Sequence, residues 1–163
     1  MATWKLADID KKMSRLREFF ATENLQVTNG SIRTALSKFL ELKKHMGNID
    51  NDIHFLASCL ANLFLSKKHG VTINLGKAVG SSGLDIELET IVAEIKTTIP
   101  YLENDFGAAQ KREIKKDLER LENAKTEYKY FFVIDSKTER ILGQKYSKRY
   151  PSVRIVNLLK ENL

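Results

Sequence analysis

Cysteine is nearly absent from this chain of 163 residues. A single Cys59 excludes an internal disulfide framework, and its place in the apolar run 53–65 marks it as a small buried side chain rather than a reactive thiol. Histidine is scarce too, with three residues. His45, His54 and His69 lack metal-ligand spacing, and with no paired cysteine they exclude a zinc site. Long hydrophobic runs are missing too: residues 53–65 form the longest, too short to span a bilayer, and residues 1–5 lack the apolar core of a signal peptide. These absences predict a soluble, cytoplasmic protein with no membrane partner. Gly80-Ser81-Ser82-Gly83 lacks the Gly-Lys-Ser/Thr ending of a phosphate-binding loop. No repeat, low-complexity tract or linker divides the chain, so one domain over 1–163 is expected, long enough to bury a genuine core.

The densest chemistry lies between Gly83 and Lys96. Leu84-Asp85-Ile86-Glu87-Leu88 and Ile91-Val92-Ala93-Glu94-Ile95-Lys96-Thr97 read as two strands of a hairpin turning at Glu89-Thr90. Alternate strand residues share a face, so Glu94 and Lys96 point the same way. A turn centred on Glu89-Thr90 places Asp85 directly opposite Glu94, and such partners sit about 4.5–5.5 Å apart at Cβ. Two carboxylates that close repel unless a cation lies between them. Magnesium suits the role, because it takes hard oxygens from one or two carboxylates and fills its shell with water and phosphate; manganese would substitute.

An acid followed by Glu-x-Lys on adjacent strands resembles the active site of the PD-(D/E)XK nuclease superfamily, which includes restriction endonucleases and Holliday-junction resolvases. The resemblance spans residues 71–135, with Leu84 standing where the motif has its proline. It implies that Asp85 and Glu94 are metal ligands, that the backbone carbonyl of Ile95 is a further ligand, and that Lys96 is the catalytic lysine. Glu87, on the face of Asp85, is an auxiliary ligand candidate, and Asp52 is a candidate for the extra acid that some members draw from a preceding helix. The implied activity is Mg²⁺-dependent endodeoxyribonuclease, a hydrolase of DNA phosphodiester bonds, most simply of restriction type. The alternatives are a structure-specific, Holliday-junction-type resolvase or a non-cleaving DNA-binding protein of the same fold.

The surrounding pattern predicts an α/β fold. Residues 71–75 are rich in β-branched side chains and read as a strand before the hairpin. A helix follows over 106–124, with Ile114, Leu118 and Leu121 at helical spacing, then an aromatic strand over 128–135, a helix near 139–149 and a last strand near 153–156. With a buried helix near 50–68 in front, residues 47–163 read as an αβββαβ restriction-endonuclease-like core, a mixed sheet flanked by helices. Residues 1–46 add two amphipathic helices, the second starting near Ser31 and stopping at Gly47. Their Phe19, Phe20 and Phe39 suggest a homodimer interface, which would give a duplex one site per strand.

Charge is unevenly spread. The chain carries a net +6, with +4 over residues 1–69, −4 over 70–109 and +6 over 110–163. Basic flanks around an acidic segment suit a DNA partner, cations gripping phosphate and carboxylates gripping metal. Gln110 and Lys111 at the start of the 106–124 helix, Ser81 and Ser82 before Asp85, and Lys145, Lys148 and Arg149 near the last helix end are the candidate backbone contacts.

Overall fold

The computed structural model describes residues 3–22, 40–73 and 83–162. The chain divides into two compact units, Met1–Asp52 and Ile53–Leu163.

The first unit holds helix α1 (Thr3–Thr22), a helical segment at 40–46 and the opening turn of helix α2 (Ile49–His69). Gly47 ends the 40–46 segment at φ +57°, a conformation that costs glycine little, and its N–H donates to the Lys43 carbonyl (3.0 Å). Lys12 forms an ion pair with Asp52 at 2.6 Å, so the carboxylate considered as an additional acid is engaged within this unit. Phe19 is buried, its ring 5.8 Å from that of His45. The start of the second expected helix and Phe39 lie outside the described residues, as does the side chain of Phe20.

The second unit is a mixed α/β assembly. Among the described residues it contains β1 (Ile86–Glu87), β2 (Ile91–Lys96), α3 (Ala108–Asn123), β3 (Tyr128–Val133), α4 (Ser136–Lys145) and β4 (Arg154–Asn157), together with most of α2. The sheet order is β1-β2-β3-β4, with β1 antiparallel to β2 and the other two pairings parallel. Strand alternation sorts the core onto two faces. Ile91, Ala93, Ile95, Tyr130 and Phe132 pack with Ala57, Ala61, Phe64 and Leu65 of α2. Val92, Phe131 and Val133 pack with Ile114, Leu118 and Leu121 of α3 and Ile141 and Leu142 of α4. β3 lies between β2 and β4, and from Tyr130 to Val133 it is buried on both faces, the reason that stretch is apolar and aromatic without alternation. Cys59 is buried, and burial pushes its thiol up. No helix of the described residues is long and apolar enough to cross a membrane.

The expected first strand requires correction. Residues 71–73 are not in a strand, and 74–75 lie outside the described residues. The β-branched composition was misleading there, because the Ile73 amide donates to Asn62 Oδ1 of α2 (2.9 Å) rather than to a neighbouring strand. Two element boundaries also differ. β3 stops at Val133, and α4 begins at Ser136 because Asp135 caps it, accepting the Thr138 N–H at 2.7 Å.

Candidate active site

The hairpin has the register the turn demands. Ile86 pairs with Ala93 and Glu87 with Val92, and the Leu88 N–H donates to the Ile91 carbonyl (2.8 Å) across Glu89-Thr90. Continuing that register sets Asp85 opposite Glu94. The two are tied by backbone as well as by position. The Ile95 N–H donates to Asp85 Oδ2 (2.8 Å), and the Asp85 N–H donates to Glu94 Oε2 (3.4 Å). Asp85 also faces His54 of α2, whose Nε2 lies 3.5 Å from Oδ2.

Lys96, two residues beyond Glu94 on the same face, does not turn its ammonium to Glu94 or Asp85. It is hydrogen-bonded and ion-paired to Asp117 of α3, a carboxylate only 4% exposed. The Arg120 guanidinium lies 3.7 Å from the other Asp117 oxygen. Asp117 is the residue that sequence reasoning missed. Its signal was positional: it stands three residues after Ile114 and next to Leu118, a charge set into the apolar stripe of a helix.

The electrostatics follow from this arrangement. Burial, then the neighbouring charges of Asp85 and Asp117, push the Glu94 carboxyl up to about 7; Lys96 offsets this only in part. Burial also acts to raise the Asp85 carboxyl, but the hydrogen bonds from His54 and the Ile95 amide outweigh it, and the carboxyl lies below its ordinary value. The pair is therefore split, with one carboxylate held ionised and the other poised near neutrality. Such separation is a frequent property of sites that do chemistry.

No group of three or more His, Cys, Asp or Glu side chains gathers as a metal cluster among the described residues. The donor set nevertheless fits a hard divalent cation. Asp85 and Glu94 offer carboxylate oxygens from facing strands, and Glu94 lacks a full counter-charge because the Lys96 ammonium is bonded to Asp117. Ile95, whose backbone carbonyl is the expected further ligand, lies between Glu94 and Lys96 on β2, buried at 3% exposure. Glu87 is exposed and its Oε1 accepts the Leu84 N–H (2.8 Å), which draws it into the turn before β1.

The other expected site residues lie elsewhere. Ser81 and Ser82 are outside the described residues. Gln110 closes the start of α3, its Oε1 accepting the Gly107 N–H (3.0 Å) and its Nε2 donating to the Ile99 carbonyl (3.1 Å). Lys111 and Lys145 share Asp105, at 2.7 and 2.9 Å. Arg149 lies over the Tyr150 ring, 5.4 Å from its centroid, and reaches Glu119 at 3.4 Å; Lys148 is exposed. Comparison with protein-family models, curated proteins and solved structures finds no match to this chain.

Proposed function

We propose that the chain is a metal-dependent endodeoxyribonuclease with a PD-(D/E)XK-type, restriction-endonuclease-like catalytic core, Mg²⁺ being the metal and Mn²⁺ a substitute. The observation that carries this reading is the juxtaposition of Asp85 and Glu94 across a hairpin with Lys96 on the same face as Glu94, where the Glu94 carboxyl is pushed up to about 7. A divalent cation held there by Asp85, Glu94 and the Ile95 carbonyl would supply Lewis-acid polarisation of phosphate and an acidified water. Asp85 enters that role already ionised, and the Ile95 N–H fixes its orientation. Lys96 supplies positive charge beside the scissile phosphate, where charge grows as the phosphorus–oxygen bond forms. Asp117 is a positioning residue that fixes the direction of the Lys96 ammonium.

The test is incubation of purified protein with supercoiled, linear and branched DNA. Mg²⁺ or Mn²⁺ is expected to support cleavage, whereas Ca²⁺ supports binding with little turnover because its longer, looser coordination misplaces the nucleophile. Full activity in excess EDTA would remove the metal from the mechanism. Restriction-type cleavage of continuous duplex and resolvase-type cleavage of branched DNA use the same chemistry. The second is favoured by one feature, the exposed apolar loop that follows β2.

A single site of this kind addresses one phosphodiester at a time, so double-strand cleavage is expected from a homodimer. Light scattering at micromolar protein should give twice the monomer mass, free or with DNA. Monomer mass in both states rules the homodimer out.

A further inference from the structure

Loop 97–107 leaves the end of β2 immediately after Lys96 and carries three large apolar side chains into solvent: Ile99 at 63%, Tyr101 at 71% and Leu102 at 46% exposure. Exposed apolar side chains on a floppy loop would be ordinary. This loop is anchored. The Thr98 carbonyl accepts from Thr138 Oγ1 (3.0 Å), the Ile99 carbonyl from Gln110 Nε2 (3.1 Å), the Pro100 carbonyl from Lys137 Nζ (3.3 Å) and the Glu103 carbonyl from Arg140 (3.2 Å). The Tyr101 ring lies against Gly107, where a Cβ would come within 1.5 Å of the tyrosine hydroxyl. Four donors from α3 and α4 thus hold an apolar tip on a fixed backbone, and its ordering cost is already met within the fold.

The base of that tip is cationic. Lys137 and Arg140 donate to neutral acceptors and have no carboxylate partner among the described residues. Lys111 and Lys145 share the one carboxylate of Asp105, leaving a further positive charge in excess. An aromatic and aliphatic tip rising from a cationic base, on the loop that follows Lys96 at the end of β2, matches a partner with a flat apolar face on an anionic backbone. Unpaired DNA bases have that character, and bases stacked inside a continuous duplex do not.

We propose that loop 97–107 is a stacking platform for an unpaired or displaced base, so that the preferred substrate is DNA with a junction, flap or single-stranded gap rather than an uninterrupted duplex. The nuclease reading enters only in placing the reacting phosphate beside Glu94 and Lys96.

The test separates binding from cleavage. Fluorescent oligonucleotides carrying 2-aminopurine either unpaired at a duplex–single-strand junction or fully paired are titrated with the whole chain, first in EDTA and then in Ca²⁺. Wild type should bind the junction at least about tenfold more tightly than the duplex. Tyr101→Ala should lose about tenfold on the junction and less than twofold on the duplex, while Tyr101→Trp retains junction binding. Gly107→Ala, which pushes on the Tyr101 ring without touching a carboxylate, should also weaken junction binding. Equal affinities of wild type for the two DNAs, or an unchanged junction affinity in Tyr101→Ala, overturns the platform. So does Tyr101-dependent binding to phosphatidylcholine/phosphatidylserine vesicles with none to oligonucleotide, which would assign the tip to a membrane surface. Tyr101-dependent junction binding without Mg²⁺-dependent cleavage upholds the platform and overturns the nuclease reading. Cleavage with a junction preference unaltered in Tyr101→Ala does the reverse.

Discussion

Lys96→Ala and Glu94→Gln are each expected to lower Mg²⁺-dependent DNA cleavage by about a hundred- to a thousandfold, the range seen when one group that stabilises developing charge is removed. Neither change should unfold the protein. Lys96 and Glu94 are only partly buried, and they lie at the open end of a strand whose packing rests on Ile91, Ala93 and Ile95. Lys96→Ala does leave Asp117 buried without its ammonium, a cost moderated by Arg120 at 3.7 Å. The informative companion is Asp117→Asn, which keeps Lys96 but removes the acceptor that directs it. A loss smaller than that of Lys96→Ala, with circular dichroism and melting close to wild type, is the signature of a positioning role. Cleavage within about tenfold of wild type in either Lys96→Ala or Glu94→Gln would mean that the hydrolytic site lies elsewhere.

The hairpin was legible because two local rules agree. Period-two alternation assigns faces, and a two-residue turn at Glu89-Thr90 leaves one register in which Ile86 meets Ala93. The 106–124 helix and the aromatic strand were legible for the same kind of reason, the first from helical spacing and the second from a run that only a doubly covered strand tolerates. Long-range pairings were not. Nothing local says that the Lys96 ammonium goes to a helix twenty-one residues onward, or that His54 approaches Asp85 from α2. Residues 71–73 failed for a related reason, since β propensity describes fit to a pleated surface and the partner of the Ile73 amide proved to be the side chain of Asn62. The start of α4 was readable in principle: Asp135 followed three residues later by Thr138 is a capping pattern, overlooked because Asp135 was assigned to the preceding strand.

Without metal, the protein should lose stability between about pH 5 and pH 8, and Glu94→Gln should abolish most of that loss. The Glu94 carboxyl has an ordinary value of 4.5 and lies at about 7 in the folded chain. The folded state therefore holds the proton more tightly than the unfolded one. Its contribution to stability is complete below about pH 4.5 and declines as pH climbs to about 7, above which the fold carries a half-buried carboxylate beside Asp85 and Asp117. A shift of this size corresponds to about 3 kcal/mol, or roughly 6–12 °C in melting temperature for a chain of this length. Glutamine is neutral at every pH, so the variant should melt near wild type at pH 5 and well above it at pH 8. Asp85 does not confuse the result. Its carboxyl is lowered, so its stabilisation is present above its ordinary value of 3.8 and is lost only on further acidification, outside this window. Metal supplies the converse arm. At pH 8, Mg²⁺ at about a hundred times its dissociation constant should raise wild-type stability by about 2.7 kcal/mol and Glu94→Gln by far less, since the carboxylate that destabilises the metal-free fold is the one that binds the ion. A melting-temperature difference between variant and wild type that stays constant from pH 5 to pH 8 would refute the raised Glu94 carboxyl. A Mg²⁺ response equal in both proteins would remove Glu94 from the metal site.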